Sequence, residues 1–507
     1  VRGDESSAAT RFGGHVMVMG TGSRARVQGV EFRDMGQEAR AGRYAFHWHF
    51  AGAAAGQYVR NSSIHRTFTR GVVVHGTRGA TIARVVGHES HSHMFVGSED
   101  LADEGNVLRG NLAVLVRRHA DPARRIQHVD DDGTTGPHMD EAQDEHRPSG
   151  FWFHNPNQIV EGNVAAGATD GNGFHFDDGV AEEAASRLVF RDNVAHSNRM
   201  PSTGGNDRYP PHTHGFGLFV ANLDFGDAVV PRTWTFERFT AYKNTLGGAW
   251  LESDGTVLRD AVLADNGTGA VLFRSRLERA LVVGQTANRL GGLAEVGTSW
   301  AGGIHVMAGQ GPDKRPIVRD VAFVDQRDAA FVFLERVTDI GSVVRGARRV
   351  RTPSFLHDAE WSGFVHDEDG SLLGSGVPGL VLADRSRLAL GPSCARVAAA
   401  QPLWVWRCPT GTPIGMLRLR ARSGRFGNPT TALRDDGATK TLDGEGGHAE
   451  RTEWVTAGRD YALRYGVATP PSVVYVSLAQ WSGTGSVTVA IPAAAAARVF
   501  HARGGHE

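Results

Sequence analysis

Lysine is nearly missing from this chain: Lys243, Lys314 and Lys440 are the whole complement in 507 residues, so arginine carries the positive charge. The formal net charge is -1, which excludes a protein that holds polyanions through its overall field, as a non-specific nucleic-acid binder does. An anionic ligand has to be held locally, and arginine's planar fork suits a carboxylate through two parallel hydrogen bonds. No apolar run reaches the roughly 18 residues that a membrane-spanning helix needs. From Val1 the chain opens in strand-like sequence (VRGDESSAATRFGGHVMVMG) with no basic-then-apolar leader, so a targeting peptide and a preceding domain are expected upstream.

Cysteine is equally scarce. Cys394 and Cys408, in GPSCARVAAAQPLWVWRCPTG, are the only two, and no histidine lies near either in sequence to activate a thiol. A local disulfide in an exported protein is the expectation, with two buried thiols as the alternative. The bare GxG of MGTGSRARVQG is followed by no helix, which excludes a phosphate cradle, and no nucleotide or organic cofactor is expected.

Strong helical periods are missing too. In their place stand 65 glycines and short apolar alternations punctuated by Gly, Asn and Asp. Val59 to Ile82 spans 23 residues, Ile82 to Val107 spans 25, and Trp234 to Val257 spans 23, the period of a β-solenoid coil. YVRNSSIHRTFTRGVVVHG, TIARVVGHESHSHMFVG, QIVEGNVAAGATDGNGFHFDDG, TFERFTAYKNTLGGAWLESDG and TVLRDAVLADNGTGAVLFRS each give a strand, a polar turn and a second strand introduced by a small residue. Excursions at 117–148 and 200–214 interrupt the rhythm, as loops that wall a binding site do. From about residue 380 short strands alternate with turns. The expected fold is all-β: a parallel β-helix over 1–379, then a small antiparallel β-sandwich-like module over 380–507.

Strand alternation predicts which side chains face outward. With Val72 and Val74, Met94 and Val96, Phe174 and Phe176, Ala249 and Leu251, and Ala270 and Leu272 inward, the outward set is Val73 and His75, Phe95 and Gly97, His175 and Asp177, Trp250 and Glu252, Val271 and Phe273. FWFHNP adds Trp152 and His154, and GRYAFHWHF adds His47 and His49. Aromatic faces pack against sugar rings, while imidazoles and carboxylates move protons at a glycosidic bond. Packing against like neighbours is the plainer alternative, and a one-residue slip would invert the list.

Histidine is over-represented at 23 residues, and HxH places His47 and His49 on one side of a strand with His75 one coil away. Together with His93 they could ligate a divalent transition metal such as Zn²⁺, serve as general acids and bases, or be packed structurally. Glu99, Asp100, Asp170, Asp177 and Asp178 are the acidic candidates, with a turn-forming role as the alternative for each. Asp130 to Asp132 reads as a solvated loop whose oxygens would also suit Ca²⁺.

RFGGHVMVMG, VEFRDMGQ, GRYAFHWHFAG, SIHRTFTRGVVVHG, FWFHNPN, NVAHSN, AYKNTLGGAWL and ADNGTG, in that order from Arg11 to Val283, resemble the β-helix region of the family of the cell-migration-inducing hyaluronidase, transmembrane protein 2 and the fibrocystin-like proteins. The resemblance implies a right-handed parallel β-helix preceded by a G8 domain, and hyaluronan depolymerisation with calcium implicated; fibrocystin-like members have no established enzyme activity. Family motifs fall on Arg43, His47, His49, His75, His93, Glu99 and Asp100, while Asp177 and Asp178 depart from the family pattern. The expectation is a secreted, monomeric enzyme that cleaves hyaluronan or a related acidic polysaccharide internally. His49, His75, His93 with Glu99 or Asp100, and after them Asp177, would do the chemistry; Trp152, His154, His175 and Trp250 would line subsites, and Arg43 would meet a substrate carboxylate. A lyase acting on uronates and a non-catalytic carbohydrate-binding β-helix are the alternatives.

Overall fold

The computed structural model describes residues 1–126, 147–176, 186–199, 214–221, 233–284 and 302–306, and between 315 and 503 the strands with some of their connections. Contacts divide the chain into two compact units, Val1–Ile304 with Val321–Arg327, and His305–Asp320 with Asp328–Glu507. Asp177, Asp178 and the acidic run at Asp130 lie outside the described residues.

The first unit is a parallel β-helix whose coils stack three columns of strands. One column runs Val16–Met19, Phe46–Ala53, Val72–Arg78, Phe95–Ser98, Phe151–Phe153, Phe174–Phe176, Phe216–Val220, Gly247–Leu251 and Thr268–Leu272, each parallel to the next. A second runs from Thr81–Ser90 through Val107–Arg109, Ile159–Glu161 and Val189–Arg191 to Trp234–Glu237 and Thr256–Arg259. The third takes Leu112–Val116, Val164–Ala166, Val194–His196, Thr240–Tyr242, Val262–Ala264 and Leu281–Val283.

The recurring RGN, EGN, RDN, HSN, YKN and ADN triplets explain the corners. In each, the middle residue is left-handed: Gly110 at φ 64°, Gly162 at 63°, Asp192 at 59°, Ser197 at 59°, Lys243 at 57° and Asp265 at 54°. Gly, Asp and Asn tolerate this region best. The asparagine that follows is buried at every one, and its side chain bridges to the adjoining coil. Asn163 donates to the Leu108 carbonyl at 2.9 Å, while its Oδ1 accepts from the Asn111 backbone N–H at 2.9 Å. Asn193 receives the Asn163 N–H in the same way, and Asn244 and Asn266 repeat the arrangement. Corner backbone groups with no strand partner are thus paired by side chains, as burial demands.

Inside, phenylalanines stack from coil to coil: Phe95 on Phe151 at 5.0 Å, Phe151 on Phe174 at 4.7 Å and Phe153 on Phe176 at 4.5 Å. Beside them the backbones approach so closely that a Cβ on Gly173 would lie 2.6 Å from the Gly217 carbonyl oxygen. This is the small residue that introduces each second strand.

Register corrects one part of the expected outward list. Val72 pairs with Phe95 and Val73 with Val96, so Phe95 points inward and Val96 outward. Met94, Phe95 and Val96 are all buried, so alternation held no information there. The outer row is therefore Met17, His47, Val73, Val96, Trp152, His175, Phe219, Trp250 and Val271. It is not an open stripe: from His47 to Val271 none of these residues is more than 4% exposed.

In the second unit, parallel coil pairing continues from Ile317–Arg319 through Ser342–Arg345 to Phe364–Asp367. Pairing then turns antiparallel, with Phe364–Asp367 against Gly379–Asp384 and that strand against Leu403–Cys408. A disulfide joins Cys394 to Cys408 beside Trp406 and Leu380, as the cysteine spacing led one to expect. A three-stranded and a five-stranded sheet follow, antiparallel but for one parallel pair. The chain is all-β in fold, as read from the sequence.

Candidate active site

Parallel pairing sets His49 beside His75, and alternation along Phe46–Ala53 brings His47 to the same side two residues earlier. One nitrogen from each of these three rings lies within 4.8 Å of the others. Ring centroids are 4.9 Å apart for His47 and His49 and 5.1 Å for His49 and His75. Glu99, just beyond Phe95–Ser98, completes the cluster: its Oε2 lies 3.4 Å from His75 Nδ1 and 3.9 Å from His47 Nε2. Its other oxygen accepts from Arg70 and, at 3.2 Å, from the Tyr44 hydroxyl. The Arg70 guanidinium also stacks 5.2 Å over the Tyr44 ring.

Two features hold Glu99 in place. Asp103, fully buried, accepts the backbone N–H groups of Glu99 at 3.1 Å and Asp100 at 2.9 Å with Oδ2, and that of Thr77 at 2.5 Å with Oδ1. Arg70, Tyr44 and the two imidazoles then fix the carboxylate itself. Burial alone would raise the Glu99 pKa, but the Arg70 charge, His47, His75 and the Tyr44 hydroxyl outweigh it and hold the group below its ordinary value. Glu99 is therefore a carboxylate at neutral pH.

Burial pushes His47 and His49 the other way, toward the neutral form. Burial takes His47 down to about 4, against the pull of Glu99, and also lowers His49. His47 Nδ1–H donates to the Gly42 carbonyl at 3.1 Å, so its Nε2 carries the lone pair. His47 Nε2, His49 Nδ1 and Glu99 Oε2 are buried acceptors with no hydrogen-bond partner among the described residues.

The cluster reaches solvent along its His49 and His75 edge. His47 is buried while His75 is 26% exposed, and beside His49 stand Phe50 at 51% and its strand partner Met19 at 58%. A shift in register between His49 and Gly52 forces Phe50 into the left-handed region at φ 52°, unusual for a bulky residue and of the kind found at binding sites. Its ring lies over Gly76, 4.6 Å from both His49 and His75. Nothing in the alternation pattern singled out Phe50, Tyr44 or Arg70. An arginine directly before the apolar run Gly71–Val74 was the available sign, since a charge so placed is buried and needs a counter-ion.

The other expected residues divide plainly. Asp100 is a turn residue, its Oδ1 accepting the Ala102 N–H at 3.2 Å. His93 is buried one coil on, accepting the Ser149 N–H at 3.0 Å and lying 5.5 Å from the Trp152 ring; it is not one of the three grouped histidines. Trp152 is packed with Tyr44, Val73, Val96 and Ile126, and His154 stands 5.9 Å from it. His175 and Trp250 flank Phe219 within the buried outer row, and Trp250 Nε1–H donates to Glu252 at 2.9 Å. Arg43 is exposed on the loop whose Gly42 carbonyl holds His47, and donates to His15 Nε2 at 2.9 Å.

Calcium, implied by the motif resemblance, takes about six to eight oxygen ligands. Three imidazoles and a carboxylate already engaged by Arg70 do not offer that set, so this cluster does not fit calcium.

Residues 11–203 match the family model described as CEMIP beta-helix. The chain is 30% identical over 325 residues to the cell migration-inducing and hyaluronan-binding protein of Mus musculus, covering 55% of this chain and 24% of that protein. It is 26% identical over 294 residues to the cell surface hyaluronidase CEMIP2 of Homo sapiens (51% and 21%), and 25% identical over 292 residues to Fibrocystin-L of Mus musculus (53% and 6%). The chain thus spans about a quarter or less of the length of the curated relatives it matches. A solved Siphovirus 9NA tailspike receptor binding domain aligns over 78% of this chain and 84% of its own at 9% identity, with a TM-score of 0.33. The resemblance read from the motifs is borne out by the family model and these relatives.

Proposed function

With residues 11–203 similar throughout to the CEMIP β-helix, we propose that this chain is an extracellular enzyme that binds an acidic polysaccharide, hyaluronan foremost, and cleaves its glycosidic bonds at the Glu99–histidine cluster. The observation that carries the reading is the His75–Glu99 pair, with Nδ1 and Oε2 3.4 Å apart and the ring partly exposed. A carboxylate that orients an imidazole is a general acid–base arrangement. In this reading Glu99, ionised and anchored by Arg70, pairs with His75 Nδ1 and leaves Nε2 to give a proton to the leaving glycosidic oxygen or to take one from water. His49 stands beside it as the second proton-transfer group. Phe50 offers the exposed aromatic face for a sugar ring, and Arg43 a guanidinium for a uronate carboxylate. The disulfide fits an oxidising, extracellular setting.

Trp152, His175 and Trp250, all buried, act in this reading as the packed support of the site and not as sugar-stacking surfaces. The name of the mouse relative, which speaks of hyaluronan binding, favours a second reading in which the chain binds without cutting.

Incubating the protein with high-molecular-weight hyaluronan and sizing the polymer decides between them. Shortening that His75→Ala abolishes supports cleavage; retention of polymer with undiminished length leaves binding alone. Products absorbing in the ultraviolet as unsaturated uronides would replace hydrolysis by β-elimination, with a histidine as the base.

A further inference from the structure

We infer that His47, His49 and His75 form a three-histidine site for a divalent first-row transition ion of the zinc class, with Glu99 and the Gly42 carbonyl as outer partners that aim the rings. The inference concerns the same cluster as the cleavage reading and rests on it only for what the ion would do there: with an ion bound, His49 and His75 would be ligands, and the ion would take over from them the activation of water or of the glycosidic oxygen.

Three observations carry it. The first is convergence: one nitrogen from each ring falls within 4.8 Å of the others, from two neighbouring strands whose register is fixed by backbone pairing, so small side-chain rotations close the set around one ion. Second, the outer contacts are those that metal-binding histidines use. His47 Nδ1–H bonds the Gly42 carbonyl at 3.1 Å and His75 Nδ1 faces Glu99 Oε2 at 3.4 Å, which leaves the Nε2 lone pair of each ring for a ligand. Third, the cluster gathers acceptors and lacks donors. His47 Nε2 and His49 Nδ1 are buried close together with no hydrogen-bond partner among the described residues. A cation satisfies both ring nitrogens at once, whereas further apolar packing satisfies neither.

Donor chemistry selects the ion. Imidazole nitrogens favour Zn²⁺, Cu²⁺, Ni²⁺ and Co²⁺ over Mg²⁺ and Ca²⁺. Arg70 and Tyr44 occupy the far oxygen of Glu99, which makes the carboxylate an orienting group and not a fourth ligand. The fourth position then lies toward the exposed edges of His75 and Phe50, the geometry of a site that keeps one place for water or substrate.

The test uses the full chain, stripped with a chelator and dialysed, then titrated with Zn²⁺ and, for its visible spectrum, Co²⁺. Expected are one equivalent of Zn²⁺ per chain by elemental analysis and an intense Co²⁺ absorption of tetrahedral type. His49→Ala and His75→Ala, both at partly exposed positions, should abolish the equivalent. Glu99→Gln should weaken affinity about 10- to 100-fold, while His91→Ala, in a separate cluster, should change nothing. Circular dichroism checks that each variant folds; where one does not, the wild-type Co²⁺ spectrum decides alone. Failure of the wild type to take up a stoichiometric ion, a weak spectrum of oxygen-ligand type, or wild-type affinity in His49→Ala and His75→Ala would overturn the inference. An ion bound stoichiometrically by a protein that leaves hyaluronan intact keeps this inference and removes the cleavage reading.

Discussion

Replacing Arg70 with methionine should cost the β-helical unit about 3–5 kcal/mol near neutral pH, the range for breaking a buried ion pair on one side. Methionine keeps much of the arginine stem, so little of this comes from lost packing. The cost comes from Glu99, only 11% exposed, which would keep His47, His75 and the Tyr44 hydroxyl but lose the charge that holds it ionised. The pH dependence gives the sign. In the wild type Glu99 titrates below its unfolded value of 4.5, so its contribution to stability is present above that pH and lost as pH falls through the folded pKa. Without Arg70 burial dominates and the folded pKa rises above 4.5; the folded variant then binds a proton more readily than its unfolded chain. The gap between the two proteins should therefore narrow as pH falls from about 7 to about 5. Urea midpoints followed by circular dichroism, with hydrogen exchange on Val72–Arg78, would read it. Adding Glu99→Leu to the variant should recover part of the loss, because neither charge is then left alone. A gap below about 1 kcal/mol, or one that does not change with pH, would refute the assignment of Arg70 as the counter-ion of Glu99.

Phe50→Gly should leave thermal stability unchanged or slightly raised, because glycine accepts φ 52° freely, while weakening hyaluronan binding by calorimetry roughly 2- to 13-fold, the worth of one aromatic contact. Asn163→Ala removes two donated and two accepted bonds inside the corner ladder and should cost several kcal/mol, at about 1–3 per orphaned group, read as faster exchange in Val107–Arg109 and Val189–Arg191. In chelator-treated protein His47, at about 4 when folded and 6.5 when unfolded, contributes stability that is present above about 6.5 and lost as pH falls through about 4. The loss should be on the order of 3 kcal/mol, and His47→Gln, which cannot titrate, should flatten that part of the stability profile.

Much of this was legible beforehand. The coil period is written in the repeated phrases, and HxH with VHG places His47, His49 and His75 at neighbouring positions from the sequence alone. Two things hid the rest. Where apolar residues fill both faces of a strand, as at Met94–Val96, alternation cannot set the register, and the outward list slipped by one at Phe95. Long-range polar partners leave no periodic trace: Arg70 and Tyr44 meet Glu99 across 29 and 55 residues. The asparagine corners had a visible sign in their triplets, but their function as backbone partners appears only once coils are stacked. Outward direction also proved different from exposure, since Trp152 and Trp250 point away from the helix interior and are still buried.

Those asparagines separate two lengths that most folds tie together. Successive rungs are 52 residues apart from Asn111 to Asn163, 30 from Asn163 to Asn193, 46 from Asn198 to Asn244 and 22 from Asn244 to Asn266, yet each rung makes the same bond to the next. Chain can thus be added between rungs without changing the step of the stack. Such a scaffold is free to acquire new recognition loops by insertion and to lose them by deletion, whereas a single residue gained or lost between a rung and its strand would put every later coil out of phase.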